Sequence, residues 1–303
     1  MHKPSTSQHK EPTMRYPFKN LTNIVDKDKK EDIRHIREWL KHQQHLPDIS
    51  DEYIMLFLHS NYFSLDRTKN TINSYFVARA ENKELFTNWE VDALDFETYE
   101  LVPIPKRSPE GFIVLLYRLR DPDPNKFIFQ EGLRVFLSFN DLRISEDGLA
   151  PGYIVVFDMK GCSMGHLARA TPYMNYIKAF MLYIQEAHPA RLKGIHVINT
   201  VWFVDKIMNL VKPFIQSEVM EMLHFHHSLD TLKPFVPLEL LPEEYGGDAK
   251  PGSVIHEEHT KFIKEEYKEW LLGCGSLLAD LQKRPQKDKQ DIMQGSFRSL
   301  SID

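Results

Sequence analysis

The sequence predicts an α/β fold: a mixed, mostly parallel sheet flanked by helices, preceded by an all-α subdomain. Three observations carry this. Short apolar runs rich in β-branched residues recur between residues 111 and 199, each entered through a glycine. Stretches long enough to cross back over a sheet lie between them. Residues before about 90 show helical spacing only.

Residues 1–22 are rich in Ser, Thr, Pro, Lys and His and short of apolar anchors, so they read as a mobile extension. The helical subdomain is placed at 23–90. A first helix is expected from near Asp26, with Ile33, Ile36 and Leu40 on one face and Pro47 ending it. Ser50 is a candidate N-cap for a second helix carrying Tyr53, Ile54, Phe57 and Leu58. Ser64 is a candidate cap for a third, with Leu65, Ile72, Tyr75 and Phe76 at helical spacing.

The α/β domain is placed at 91–250. Gly111-Phe-Ile-Val-Leu-Leu-Tyr-Arg, Gly152-Tyr-Ile-Val-Val-Phe-Asp and Gly194-Ile-His-Val-Ile-Asn suit strands buried on both faces. Crossover helices are expected around Asn125–Leu142 and Pro172–Ala187. A long surface helix is expected over Val254–Leu281, within a C-terminal helical segment at 251–282, followed by a flexible tail at 283–303. Lys283, Arg284, Lys287 and Lys289, interrupted by Asp288 and Asp291, read as a solvated end.

From Val201 to Leu223 apolar residues dominate. Phe203, Ile207, Leu210, Val211 and Phe214 form a stripe at helical spacing, Met208 and Ile215 widen it, and Pro213 would kink it. Periodicity leaves two readings open: a buried core helix, or a lid with one face over a cavity. Just upstream, Arg191 and Lys193 lead into the apolar strand, a basic rim beside a movable apolar element. That pairing suits a molecule that carries something water-insoluble and unloads it at an anionic membrane.

Composition excludes several classes. A net charge of −5 argues against a nucleic-acid binder that works by neutralising phosphates. No run approaches the ~18 apolar residues of a membrane span, and Met1-His-Lys-Pro-Ser lacks the apolar core of a secretion signal. His2 excludes N-myristoylation. Two cysteines, Cys162 and Cys274, make neither a disulfide framework nor a zinc set, so a cytoplasmic protein, peripheral and transient at membranes, is expected. His224, His226 and His227 lack a carboxylate or cysteine at ligand spacing, so no metal is expected. Asp158, at a strand's end, could pair with His166, yet no nucleophile elbow accompanies them, so no enzyme and no cofactor are expected.

Five motifs in order resemble the CRAL-TRIO lipid-binding family, in its α-tocopherol transfer protein and retinaldehyde-binding protein branch. They are Val156-Phe-Asp-Met-Lys-Gly, Thr171-Pro172, Pro189-x-Arg-x-Lys-Gly-Ile-His-x-Ile-Asn199, Lys212-Pro-Phe214 and Leu241-Pro-Glu-Glu-Tyr-Gly-Gly247. The likeness covers about residues 30–275 and looks most like an insect-type member. It implies a lipid pocket under a gate at about Thr200–Met222, which favours the lid reading. Tyr153, Phe157, Ile184, Leu192 and Ile195 stand at matching pocket positions, to which Phe136, Phe139, Ile177, Phe180 and the gate stripe are added. Of the branch's phosphoinositide-binding cations, Arg191 and Lys193 are matched, while His59, Glu218 and Met222 stand where the others would be. The implied function is a non-enzymatic carrier of one hydrophobic small molecule (a tocopherol, retinoid, carotenoid or related isoprenoid), touching anionic membranes transiently; a monomer is favoured, with the oligomeric state left open by the sequence. A phosphoinositide-responsive adaptor is the alternative.

Overall fold

A computed structural model describes residues 29–273 and 277–285. The N-terminal extension, Cys274 and residues 286–303 lie outside the described residues, as does the start expected near Asp26. The first described helix, α1 (Lys30–Lys41), stops well before Pro47 and buries Ile33 and Ile36. It is followed by α2 (Asp51–Ser60), α3 (Leu65–Glu81) and the short α4 (Lys83–Phe86). Ser50 caps α2 by accepting the Tyr53 N–H at 3.3 Å, whereas Ser64 stands at the α3 N-cap position without a side-chain cap bond. The polar heart of this subdomain is Arg79, wholly buried and paired at 2.5 Å with Asp141 of the next domain. Tyr75 and Tyr183 donate to the same carboxylate at 3.2 Å, satisfying the lone pairs that a buried ion pair must not leave open.

The sheet has five strands in sequence order: β1 (Tyr99–Pro103), β2 (Ile113–Leu119), β3 (Tyr153–Asp158), β4 (Leu192–Ile198) and β5 (Leu223–Phe225). Only β1 runs antiparallel to its neighbour. The crossovers are α5 (Phe129–Asp147); then α6 (Met164–Ala170) with α7 (Met174–Leu182); then α8 (Val204–Val211) with α9 (Ser217–Glu221). Crossovers of one hand between successive parallel neighbours stay on one face of the sheet. The pleat sorts the strands accordingly. Leu115, Tyr117, Tyr153 and Val155 pack with α5, while Val114, Leu116, Ile154 and Val156 pack on the other face. That second face is covered by Leu232 of α10 (Leu229–Leu232) and by Val236, Leu241, Tyr245 and Ile255.

Three sequence expectations change here. Gly194 lies inside β4 rather than at its entrance, and a Cβ there would meet the His196 ring at 2.7 Å. The expected helix over Val254–Leu281 is two, α11 (Gly252–Glu266) and α12 (Lys268–Gly273), broken at Tyr267. Neither is a simple surface helix, since Ile263, Trp270 and Leu271, with Tyr267 between the two helices, are buried in the main core cluster. Arg284 is likewise not a solvated end: it is buried and bonded to Glu81 of α3 at 2.9 Å.

Candidate functional site

Between the sheet and the helices on its first face lies a cavity of about 480 Å³, within the range of small-molecule sites. Alternate sheet residues form its floor: Leu101 of β1; Leu115, Tyr117 and Leu119 of β2; Tyr153, Val155 and Phe157 of β3; Ile195 and Val197 of β4; Leu223 and Phe225 of β5. Leu192 also faces it, which strict alternation along β4 would forbid. A bulge explains this: Tyr153 pairs with Leu192 and Ile154 with Gly194, leaving Lys193 as the extra residue. The α5 wall presents Phe136, Leu137, Asn140, Arg143 and Ile144, one face of a helix.

The segment expected to be a gate contributes Val204, Ile207, Met208 and Val211 of α8, then Ile215 and Val219, to the cavity wall. The structure rotates the expected stripe. Phe203 is the residue before α8 and is buried beside Trp202, outside the wall. Phe214 falls beyond Pro213 in a 3-10 turn that takes it off the helical face. Leu210 lines a side chamber of about 150 Å³ with Ile177, between α7 and α8; this chamber shares Phe180, Met181, Ile207 and Val211 with the main cavity. Phe139 belongs to the core, edge-on to Tyr117 and His259, because its side of α5 turns toward α11. The remaining expected residues, Phe136, Tyr153, Phe157, Phe180, Ile184, Leu192, Ile195, Ile207 and Val211, are brought together in the wall.

Both ends of the gate are fastened by polar side chains. At its start Asn199 adopts φ +49°, a left-handed turn that asparagine tolerates. Its Nδ2 donates to Asp158 Oδ1 at 2.8 Å. At its far end Gln185, in a π-helical turn over Tyr183–Ala187, donates Nε2–H to the Phe214 carbonyl at 2.9 Å and accepts the Gln216 N–H at 2.7 Å. The Gln216 side chain donates to Glu186 at 2.7 Å. Within the gate Trp202 is 80% exposed, with the Lys206 ammonium 5.7 Å from its ring.

The reactive candidates take structural parts. Asp158 accepts from the Tyr245 hydroxyl at 2.6 Å, from Asn199 and from the Lys160 N–H, and His166 instead meets Ser163 in a capping box. Burial, then the Asp158 charge, raises the Cys162 thiol to about 11, far from a thiolate at neutral pH. His224 and His226 stack with His196 on the face away from the cavity, under Phe235. Among the described residues no group of three or more His, Cys, Asp or Glu is arranged to hold a metal.

Arg191 and Lys193 stand together, but facing the helical subdomain. Arg191 donates to the His59 carbonyl from Nε at 2.8 Å and Nη2 at 2.5 Å, with its guanidinium 4.1 Å from the Tyr62 ring centre. Lys193 donates to the Tyr62 hydroxyl at 3.0 Å. Neither meets a carboxylate among the described residues. Burial and the neighbouring Arg191 charge lower His59 to about 4, so it adds no charge at neutral pH.

Wall residues that sequence reasoning missed include Tyr117, Asn140, Arg143, Met181, His188 and Val219, while Met208 and Ile215, which widen the gate stripe, also line the wall. Period-two alternation along β2 and the i, i+4, i+7 spacing of Phe136, Asn140 and Arg143 were the available signals. His188 had none, since nothing local marks a residue before a proline as a cavity wall.

A family model described as "CRAL/TRIO domain" matches residues 97–247, and one described as "Pinta-like, UBA domain" matches residues 25–95. Alpha-tocopherol transfer protein-like from Mus musculus is 27% identical over 240 residues, covering 76% of this chain and 69% of that protein. The Homo sapiens counterpart is 26% identical, covering 82% and 75%. Clavesin-1 from Rattus norvegicus is 25% identical, covering 87% and 80%.

Proposed function

The chain belongs to the CRAL/TRIO domain family, and from that premise we propose that it carries one hydrophobic small molecule in the cavity and exchanges it at membranes through the 200–222 gate. The family and the named relatives support lipid binding and transfer in general. The observation that carries the finer reading is the wall itself: a cavity of about 480 Å³ lined almost wholly by apolar side chains and roofed by one helical segment. Each buried methylene of a guest contributes about 0.8 kcal/mol, so an isoprenoid-sized molecule is held tightly and leaves slowly into water. Passing into a bilayer removes most of that penalty, because the guest goes from one apolar medium to another. Release therefore requires docking and gate opening, with no bond made or broken.

Two surface features fit the docking step. Trp202 is almost fully exposed on the gate, and such rings favour the membrane interface. Arg191 and Lys193 carry charge that no described carboxylate neutralises, which suits anionic head groups. No helix among the described residues is long and apolar enough to cross a membrane. The test is uptake and transfer of a panel comprising α-tocopherol, all-trans-retinol and β-carotene, donor protein to vesicles with and without phosphatidylserine. The expected result is 1:1 uptake of at least one and faster release to the anionic vesicles. Uptake of none, or release at the same rate with and without vesicles, overturns the proposal.

A further inference from the structure

The cavity has unlike ends. Where β3 and β4 finish it meets Asp158, Met159 and Cys162; where they begin it meets Arg143, Tyr153 and His188. At the latter end nearly every polar group is already engaged. Arg143 forms an ion pair with Asp147, and the Tyr153 hydroxyl donates to the same carboxylate at 3.2 Å. Behind them Asp141 takes Arg79, Tyr75 and Tyr183. His188 is the exception. Its side chain has no hydrogen-bond partner among the described residues, and Nδ1 is closed off from water as well. The ring is partly buried, with that of Tyr183 at 5.8 Å between centres, and His188 is one of the residues lining the cavity. A half-turn about Cβ–Cγ exchanges Nδ1 with Cδ2, so either edge can be presented. Burial, only partly offset by the Asp141 charge and reinforced by Arg79, keeps this imidazole neutral, its pKa lowered to about 4.

A neutral imidazole has one donor and one acceptor nitrogen, and leaving both unmade in an apolar chamber is unfavourable. We infer that His188 reads the polar end of the guest, so that the cavity selects neutral lipids bearing one hydroxyl or carbonyl group over bare hydrocarbons and over carboxylates. The inference rests on the carrier reading proposed above and deepens it. Carboxylates are disfavoured because the one cation in the wall at this end, Arg143, is already committed to Asp147 and desolvated with it.

Three probes on one C20 skeleton test this: phytol, phytane and phytanic acid, their affinities measured by competition at pH 7.4 on the full chain. The expected order is phytol about tenfold tighter than phytane, a factor typical of one net buried hydrogen bond, with phytanic acid also weaker than phytol. His188→Phe, or His188→Leu should the larger ring overfill the site, is expected to bring phytol down to the level of phytane while phytane binding is kept. His188→Gln, which retains a donor and an acceptor, is expected to keep most of the preference. Equal binding of phytol and phytane by the wild-type chain, or an undiminished preference in His188→Phe or His188→Leu, overturns this inference and leaves the carrier reading standing. A chain that takes up neither these three nor the panel above overturns both.

Discussion

Gln185→Ala should turn the gate from latched to loose. Gln185 joins the π-helical turn to the gate by two bonds, Nε2–H to the Phe214 carbonyl and Oε1 from the Gln216 N–H. Its third, to the Met181 carbonyl, lies within its own helix and does not count toward gate closure. Each net hydrogen bond contributes ~0.5–1.5 kcal/mol, and the Gln216 bond is solvent-exposed, so the latch is worth about 1–2 kcal/mol of closed over open. That converts to a shift of roughly 5–30-fold in the opening equilibrium. The Gln216–Glu186 bond stays, so the variant is loosened rather than permanently open. The assay is stopped-flow release of the tightest-binding panel lipid into excess acceptor vesicles. Release should accelerate by that factor, while Tm falls by only about 2–6 °C. An unchanged release rate in a variant that shows this modest Tm loss refutes the latch.

The other predictions concern charge. Lys193→Glu should slow transfer to phosphatidylserine vesicles while leaving retention in solution nearly unchanged; an unaltered rate removes Lys193 from docking. Asp141→Leu leaves the Arg79 guanidinium buried without its carboxylate and should lower unfolding free energy by about 3–5 kcal/mol in urea titration; a loss below ~1 kcal/mol would show the pair to be dispensable. Burial chiefly lowers His59, His188 and His196 to about 4 and His259 to about 3, against an ordinary value near 6.5. The unfolded chain therefore binds more protons between about pH 6.5 and 4, so stability is greatest above that window and is lost as pH falls through it. The urea midpoint should drop steadily from pH 7 to pH 5, and a flat or rising midpoint contradicts the assignment of these rings as neutral.

Much of the fold was legible because it is written in local signals. Ser50 and the i, i+3, i+4 pattern of Ile54, Phe57 and Leu58 located α2, and the three apolar runs located β2, β3 and β4. The strand that went unread, β1, is short and lies at a sheet edge, where half the apolar signature is absent. The site was less legible. The family resemblance named Leu192 and Ile195 together, although only the bulge at Lys193 makes both face inward. The gate stripe was read one step out of phase because Phe203 caps α8 and Pro213 ends it, so the inward face is Val204, Ile207, Met208 and Val211. Asn140 and Arg143 follow Phe136 at i+4 and i+7 and so were within reach of periodicity, whereas His188 faces the cavity through tertiary packing that no periodicity encodes.

The most direct measurement is mass spectrometry of the organic extract of protein purified under native conditions from its own tissue. The account predicts about one equivalent of a single class of neutral lipid per chain, displaced when Leu137→Trp fills the cavity. A wild-type extract with no apolar guest, from folded protein that also fails to take one up, would contradict it.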